Sequence, residues 1–363
     1  MEIKRPTLLI NTQKCKRNIR NMAEKAAKFK TEFRPHFKTH QSHEIGQWFR
    51  EFGVDKITVS SVQMAQYFAA DGWTDITIAF PLNILEIEEI NDLAQAIHLN
   101  ILIESRKILQ FAEENLQSEV GVFVKIDTGY HRTGIPIENG EEIGELIDCF
   151  SGMRKCNFKG FLVHNGHTYK AASIKEIENI HFNALDELKG LREKYIQAFP
   201  NLILSLGDTP SMSVLNNFRD IDEIRPGNFV FYDLMQSQLG VCLEDDIAVV
   251  MACPVVAKHK ERNQIVIYGG GVHFSKESVI INNHIVFGKL VFLENNKWII
   301  PPHSYFLSSL SQEHGIIQLD ETIINSINVG QLIGILPVHS CLSADLHNFY
   351  LTENSHRIEI SHF

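Results

Sequence analysis

Five short stretches of this 363-residue chain bring together side chains that do chemistry: RPHFKTH (34–40), DTGYHRTG (127–134), SLGDTPS (205–211), RPGN (225–228) and PVHSC (337–341). In the first, Lys38 closes a strand-like run and has His36 and His40 two residues away on either side. Alone, a lysine at a strand end reads as a surface residue that snorkels its ammonium into water. Held in a pocket with other cationic groups, it has a lowered pKa instead, and its neutral amine condenses with an aldehyde to a Schiff base.

Pyridoxal phosphate is the natural aldehyde for such a lysine, and it requires a cradle for its phosphate. SLGDTPS and RPGN are two candidates: small residues let several backbone N–H groups converge on an anion, and Thr209 and Ser211 add hydroxyl donors. Each alone reads as a turn. At adjacent strand ends the two reinforce each other.

PVHSC offers a second centre. His339 and Cys341 lie two apart, so a strand would send both side chains from the same face. Imidazole with thiolate suits zinc or another divalent metal, and two protein ligands leave room for water and substrate, as in a catalytic site. The plain alternative is a packed histidine beside a buried thiol. No CxxC is present to build a closed structural site. His164 and His167, in HNGHTY, read as rim histidines bonded to their neighbours, and YGGGVHFSK lacks the GK[ST] of a phosphate-binding loop and reads as a turn. His273, within it, is a candidate for approaching the active site from the C-terminal part.

The elements that must position these residues follow from the pattern of the chain. From residue 33 onward, runs rich in β-branched and aromatic residues alternate with segments of helical period: FRPHFK, KITVSS, DITIAF, LNILIE, VFVKID, FLVHN, LILSLG and EIRPGNFVF. Eight such βα repeats predict an α/β fold, a (β/α)8 TIM-type barrel, whose catalytic groups gather where strands end and βα loops begin. TLLIN, at 7–11, precedes the count and is expected to belong partly to another domain. After Asp233 the chain becomes strands joined by short turns, which predicts a mostly β C-terminal domain. We therefore expect a cofactor-binding barrel over 1–234 and a β domain with the HxC pair over 235–363. The net charge of −10, without a basic block, excludes nucleic acid as an expected partner, and no apolar run is long enough to span a bilayer. Six scattered cysteines and the absence of a targeting segment lead us to expect a soluble, cytoplasmic protein.

In order and spacing, RPHFKTH, VKIDTGYHRTG, SLGDTPS, RPGNFVFYD and PVHSC resemble the alanine racemase-like, fold-type III pyridoxal phosphate enzymes, over nearly the whole chain. More narrowly, they resemble the branch of D-threonine aldolases and eukaryotic-type D-serine dehydratases, which the HxC pair separates from plain racemases. The resemblance implies that Lys38 carries the cofactor. It puts Arg132 near the cofactor's phenolic oxygen and the substrate carboxylate, Tyr169 in the pocket wall, and Gly207, Asp208, Thr209, Gly227, Asn228 and Tyr232 around the phosphate. It also implies a metal at His339 and Cys341, and a homodimer. Two positions depart from the pattern: Asp208 stands where a small hydroxyl residue is commoner, and Phe229 where tyrosine is. A carboxylate facing a phosphate would be repelled, so Asp208 is expected to offer its backbone N–H and turn its side chain away.

The implied activity is a metal-assisted lyase acting on β-hydroxy D-amino acids, of the D-serine dehydratase kind, since hydroxide is a poor leaving group and a Lewis acid has an obvious use. D-threonine aldol cleavage is the near alternative. Racemisation would need a second acid/base group that the β domain does not offer by sequence, and a non-catalytic cofactor carrier would have no use for the β domain and its HxC pair.

Overall fold

Prolines mark where the barrel ladder begins and ends. In the computed structural model, which describes residues 3–294 and 297–363, Glu32–Phe33 is a two-residue strand ended by Arg34-Pro35, and Glu223–Ile224 is another ended by Arg225-Pro226. Proline has no N–H to give to a ladder. Between them run Ile57–Val59, Asp75–Pro81, His98–Ile103, Val120–Asp127, Cys156–Val163 and Ile203–Leu206, all paired in parallel. Glu223–Ile224 pairs with both Ile203–Leu206 and Glu32–Phe33. The parallel bridge His36↔Thr58, with Thr58 N–H donating to Pro35 O at 2.9 Å, joins the two ends into a ring of eight strands. All eight expected strands are present. The first and last are shorter than their sequence runs, so Lys38 and RPGN lie in loops beyond their strands rather than at or within them.

The barrel strands belong to a unit formed by Arg20–Lys38 and Gly46–Gly227. Its interior contains an apolar layer of Leu102, Phe123 and Leu162, with Ala79 and Ile203 packed against it. It also contains a chain of buried ion pairs: Arg34 donates from Nε to Glu223 and from Nη1 to Asp75, each at 2.6 Å, and Ser205 Oγ donates to Glu223 at 2.6 Å. Each charge there has a partner of opposite sign, the condition on which charges tolerate burial.

The second unit is made of residues up to Ile19, Thr39–Ile45, and the chain from Asn228 to His362. Its main sheet runs Lys297–Ile299, Gly288–Glu294, Leu332–Pro337, Val249–His259, Thr7–Ile10, Phe349–Thr352, Arg357–Glu359, and Gln264–Tyr268, His314–Gln318 and Leu307–Leu310 branch from it. Thr7–Ile10 pairs antiparallel with Val249–His259 and parallel with Phe349–Thr352, so the first strand of the chain is a member of the C-terminal sheet. A core of Leu9, Ile247, Val250, Ala252, Val291 and Leu336 covers it. Gly271–Phe274, expected as a turn, is a short helix. Among the described residues no helix is long and apolar enough to cross a membrane.

Candidate functional site

At the barrel rim, Lys38 sits in a single 3-10 turn, Phe37–Thr39. Phe37 anchors that turn: it is fully buried, with ring centroids 4.8, 4.9 and 5.1 Å from Phe49, Phe68 and Trp73. The buried aromatic fixes the backbone, and the lysine next to it is exposed. Lys38 N–H donates to His36 Nδ1 at 3.4 Å, so that nitrogen carries a lone pair. Burial holds His36 well below the usual imidazole range, and the neighbouring charges of Lys38, Arg225, His164 and Arg132 push the same way.

His164 is also held neutral by burial, with Lys38, Arg132 and Arg225 adding to the effect. Its Nδ1–H donates to Gly207 O at 2.5 Å, as only the protonated nitrogen can donate to a carbonyl. Lys125, nearly buried on its strand, donates to Ile126 O at 2.9 Å. Burial and then Arg225 bring it down to about 7. Arg225 is fixed by Nε to Ser205 Oγ at 2.7 Å and by Nη2 to Val163 O at 2.5 Å, and burial lowers it to about 10. His36, Lys38, Lys125, Arg132, His164 and Arg225 thus share one electrostatic neighbourhood.

The nearby carboxylates Asp127 and Glu104, whose charges also act on Lys125, accept backbone N–H groups. Asp127 accepts the backbone N–H groups of Gly129, Tyr130 and His131, and Glu104 accepts that of Gly134 at 2.6 Å. The cations Lys38, Arg132 and Arg225 beside two histidines held neutral suit an anionic ligand next to an amine. Pyridoxal phosphate, with a dianionic phosphate, a phenolic oxygen and an aldehyde, fits them.

Arg132 is exposed, with its guanidinium 5.1 Å from the centroid of the Tyr130 ring. Tyr130 in turn stacks on His167 and meets His164 edge-on, at 6.1 and 5.8 Å. Only a glycine at 166 allows this, since a Cβ there would lie 2.3 Å from the Tyr130 ring. His167 differs from its expected role: its Nδ1 is buried without a hydrogen-bond partner among the described residues, and stacking holds the ring.

The SLGDTPS stretch closes on itself. Asp208 caps the helix Thr209–Val214, accepting from Ser211 N–H at 2.7 Å and from Thr168 Oγ1 at 3.0 Å through Oδ1. Its Oδ2 is buried with no partner among the described residues, and burial raises the carboxyl to about 6. Thr209 N–H donates to Tyr169 Oη at 3.3 Å, which ties the expected pocket tyrosine to the expected cradle. A side chain at Gly207 would come within 2.8 Å of Arg225 Cβ, so this glycine is required by strand packing as well.

In the second unit, the Leu332–Pro337 strand ends before the HxC pair. His339 is the N-cap of the helix Ser340–Asp345 and Cys341 lies in its first turn, so helix entry, not strand alternation, brings them together. Burial alone would lower His339, but its hydrogen bond to Cys341 and the charge there carry it up to about 9. Burial alone would raise Cys341, and the same bond with His339 brings it below the usual thiol range. Thr39 Oγ1 is 3.3 Å from the sulfur and Asn228 Nδ2 3.6 Å. An imidazole and a cysteine sulfur that share a hydrogen bond are, once both have given up their protons, a soft donor pair that fits zinc or a similar divalent ion. Among the described residues no group of three or more His, Cys, Asp or Glu side chains is placed to hold a metal.

Of the expected phosphate residues, Asn228 has its side chain committed to Asp233 and Ser340, at 2.6 and 3.0 Å. Tyr232 takes a left-handed backbone, φ 49°, and packs against the Leu9 and Val250 core. Arg225, His36, Lys125 and Thr39 were not singled out from sequence. Arg225 stood inside a motif read for its glycine, and Lys125 lay on a strand where inward and outward positions cannot be told apart without the ring.

Residues 10–234 match the family model described as Alanine racemase, N-terminal domain, and residues 248–352 the one described as Putative serine dehydratase domain. The chain is 29% identical over 391 residues to the D-serine dehydratase of Dictyostelium discoideum, covering 99% of this chain and 95% of that one. It is 25% identical over 353 residues to the D-threo-3-hydroxyaspartate dehydratase of Delftia sp. (strain HT23), covering 93% and 90%. The solved structure of that enzyme superposes with a TM-score of 0.89 at 23% identity, covering 99% of this chain and 98% of that one. A D-threonine aldolase from Filomicrobium marinum has a TM-score of 0.83 at 17% identity, covering 98% and 94%.

Proposed function

The chain belongs to the family of the alanine racemase N-terminal domain and continues into a serine dehydratase domain, and on that premise we propose that it is a pyridoxal phosphate-dependent lyase acting on β-hydroxy D-amino acids. Dehydration of D-serine to pyruvate and ammonia is the preferred reaction. The observation that carries this reading is the His339–Cys341 pair, an imidazole and a cysteine sulfur that share a hydrogen bond at a helix entry.

When bound, the cofactor supplies an electron sink for charge at the substrate's Cα, and a divalent metal at His339 and Cys341 supplies Lewis acidity for departure of the β-hydroxyl. The chain's own side chains do the rest. Lys38 would hold the cofactor through its amine, and the same amine, when free, would take the Cα proton. The surrounding cations offset the cofactor's negative charge, with Arg225 held rigid by Ser205 and Val163. His36 and His164, kept neutral by burial and by those cations, leave lone pairs instead of adding charge. Arg132, exposed at the rim, takes the substrate carboxylate, where a planar fork gives orientation as well as attraction. The phosphate is assigned to the backbone of Gly207, Asp208, Thr209, Gly227 and Asn228, with Tyr169, which Thr209 N–H meets at 3.3 Å, in the wall and Tyr232, whose N–H donates to Asn228 O at 2.8 Å, bracing the loop. Loss of the Cα proton and of hydroxide from Cβ, followed by hydrolysis, gives pyruvate and ammonia.

The same reading takes the metal as zinc and the enzyme as a cytoplasmic homodimer; all six cysteines are free, which suits a reducing compartment. The test is product identity from a panel of D- and L-serine, threonine and alanine. Pyruvate with ammonia from D-serine is expected. Glycine with acetaldehyde from D-threonine, without pyruvate from D-serine, would replace dehydration by aldol cleavage, and metal-independent alanine racemisation alone would remove the lyase reading.

A further inference from the structure

The sulfur of Cys341 has two polar neighbours, Thr39 Oγ1 at 3.3 Å, whose hydroxyl donates once the sulfur has lost its proton, and Asn228 Nδ2, which donates at 3.6 Å. Thr39 and Asn228 are both buried, so neither can turn to water instead. The orientation of the Asn228 amide is fixed by chemistry. Its nearest contact, at 2.6 Å, is Asp233 Oδ2, and a carboxylate can only accept, so the edge facing it is the NH2 group. One of its two N–H bonds goes to Asp233. The other is directed between Ser340 Oγ at 3.0 Å and the Cys341 sulfur.

Asp233 is itself immobile. Its Oδ2 accepts from Ser340 N–H at 3.0 Å and Ser340 Oγ at 3.3 Å, and its Oδ1 accepts from Gln236 N–H at 3.0 Å as the cap of the helix Leu234–Gln238. Asp233, Asn228 and Ser340 thus form a closed hydrogen-bonded loop that holds both the amide and the backbone next to Cys341.

We propose that Thr39 and Asn228, the latter held by Asp233, are positioning residues for the metal-binding sulfur of Cys341. This deepens, and rests on, the reading of His339 and Cys341 as a metal pair. The two donors hold the sulfur in one orientation and draw off part of its charge, so that a divalent ion meets it already arranged. Outer-shell partners of this kind change metal affinity by about 10- to 100-fold when removed. The proposal also takes the Asn228 side chain out of the phosphate cradle to which the motif alone assigned it, leaving only its main chain there.

The test loads full-length, cofactor-bound protein with Co2+ and reads two quantities: affinity, by competition with a chelator, and the energy of the sulfur-to-cobalt charge-transfer band. Thr39→Val, nearly isosteric, and Asn228→Ala should each weaken Co2+ binding by about 10- to 100-fold. Each should also move the band to lower energy, because a sulfur stripped of hydrogen bonds gives up its electrons more easily. Thr39→Ser should restore both quantities. If Asn228→Ala fails to fold, the threonine pair decides alone. A parent protein that takes up Co2+, with Thr39→Val matching it in affinity and band, overturns this proposal and leaves the metal pair standing. A parent that shows no sulfur-to-cobalt band overturns the metal pair and the proposal with it.

Discussion

Lys38 carries the account at the scale of single residues. It is exposed on a turn anchored by a fully buried phenylalanine, and several cations act on the two histidines nearest it. Borohydride reduction followed by peptide mapping should place a pyridoxyl group on Lys38; finding it on Lys125, the other amine of the cluster, would move the centre of the chemistry. Arg132 is exposed and lays its guanidinium on Tyr130. Arg132→Ala should therefore stay folded and keep the cofactor while kcat/KM falls by about 100-fold, the order expected when a charge-assisted bidentate contact of roughly 3 kcal/mol is lost. Loss of cooperative unfolding in that variant would make the residue structural. Lys38, Arg132, His339 and Cys341 were singled out from the sequence by their motifs together with the family resemblance, not by residue type alone. The direction of a side chain was not legible there: Asn228 turns to Asp233 and Cys341, and Arg225 reaches Ser205 and Val163, through contacts made by distant parts of the chain.

At the scale of elements, the strand centres were legible from their β-branched runs and the strand ends were not. The reason is the same at three motifs. Pro35, Pro226 and Pro337 each stand at or just beyond the end of a strand, where only single bonds such as His36 N–H to Pro226 O at 2.9 Å continue the pairing, and the chemistry that follows passes to a turn, a loop or a helix entry. The sequence runs continue past these prolines because Phe37, Phe229 and Val338 are buried for packing, not for pairing. The helix Ile174–Tyr195 hides a different feature. His181 is fully buried with neither ring nitrogen bonded among the described residues, and burial lowers it to about 4. A group whose folded pKa is depressed binds its proton first in the unfolded chain, so stability is full above the ordinary imidazole value and falls as pH drops toward 4. His181→Leu should narrow the stability difference between pH 7.5 and pH 5 by about 2 kcal/mol, read from denaturant midpoints at the two pH values. An unchanged difference would mean that this ring has a partner for its proton.

At the scale of the whole molecule, the change from alternating to strand-rich sequence announced two architectures, and both are present. Thr7–Ile10 was harder to assign, because its partners Val249–His259 and Phe349–Thr352 are supplied by the far end of the chain and no local pattern names them. The chain is acidic, with net charge −10, yet its barrel rim collects basic side chains whose neighbouring carboxylates are bound to backbone N–H groups. That contrast singles out one region for anions on a surface that otherwise repels them.

The central claim is that one chain unites an amine-bound cofactor with a metal held by a histidine and a cysteine to break down a β-hydroxy D-amino acid. The most direct measurement is pyruvate release from D-serine by the purified protein before and after metal stripping, with cofactor absorbance recorded in the same sample. Stripping should abolish pyruvate release and leave the absorbance of the bound cofactor in place, Zn2+ should restore turnover, and Cys341→Ala should behave as the stripped protein does even with Zn2+ added. Pyruvate release that continues at the parent rate in stripped protein and in Cys341→Ala would contradict the account.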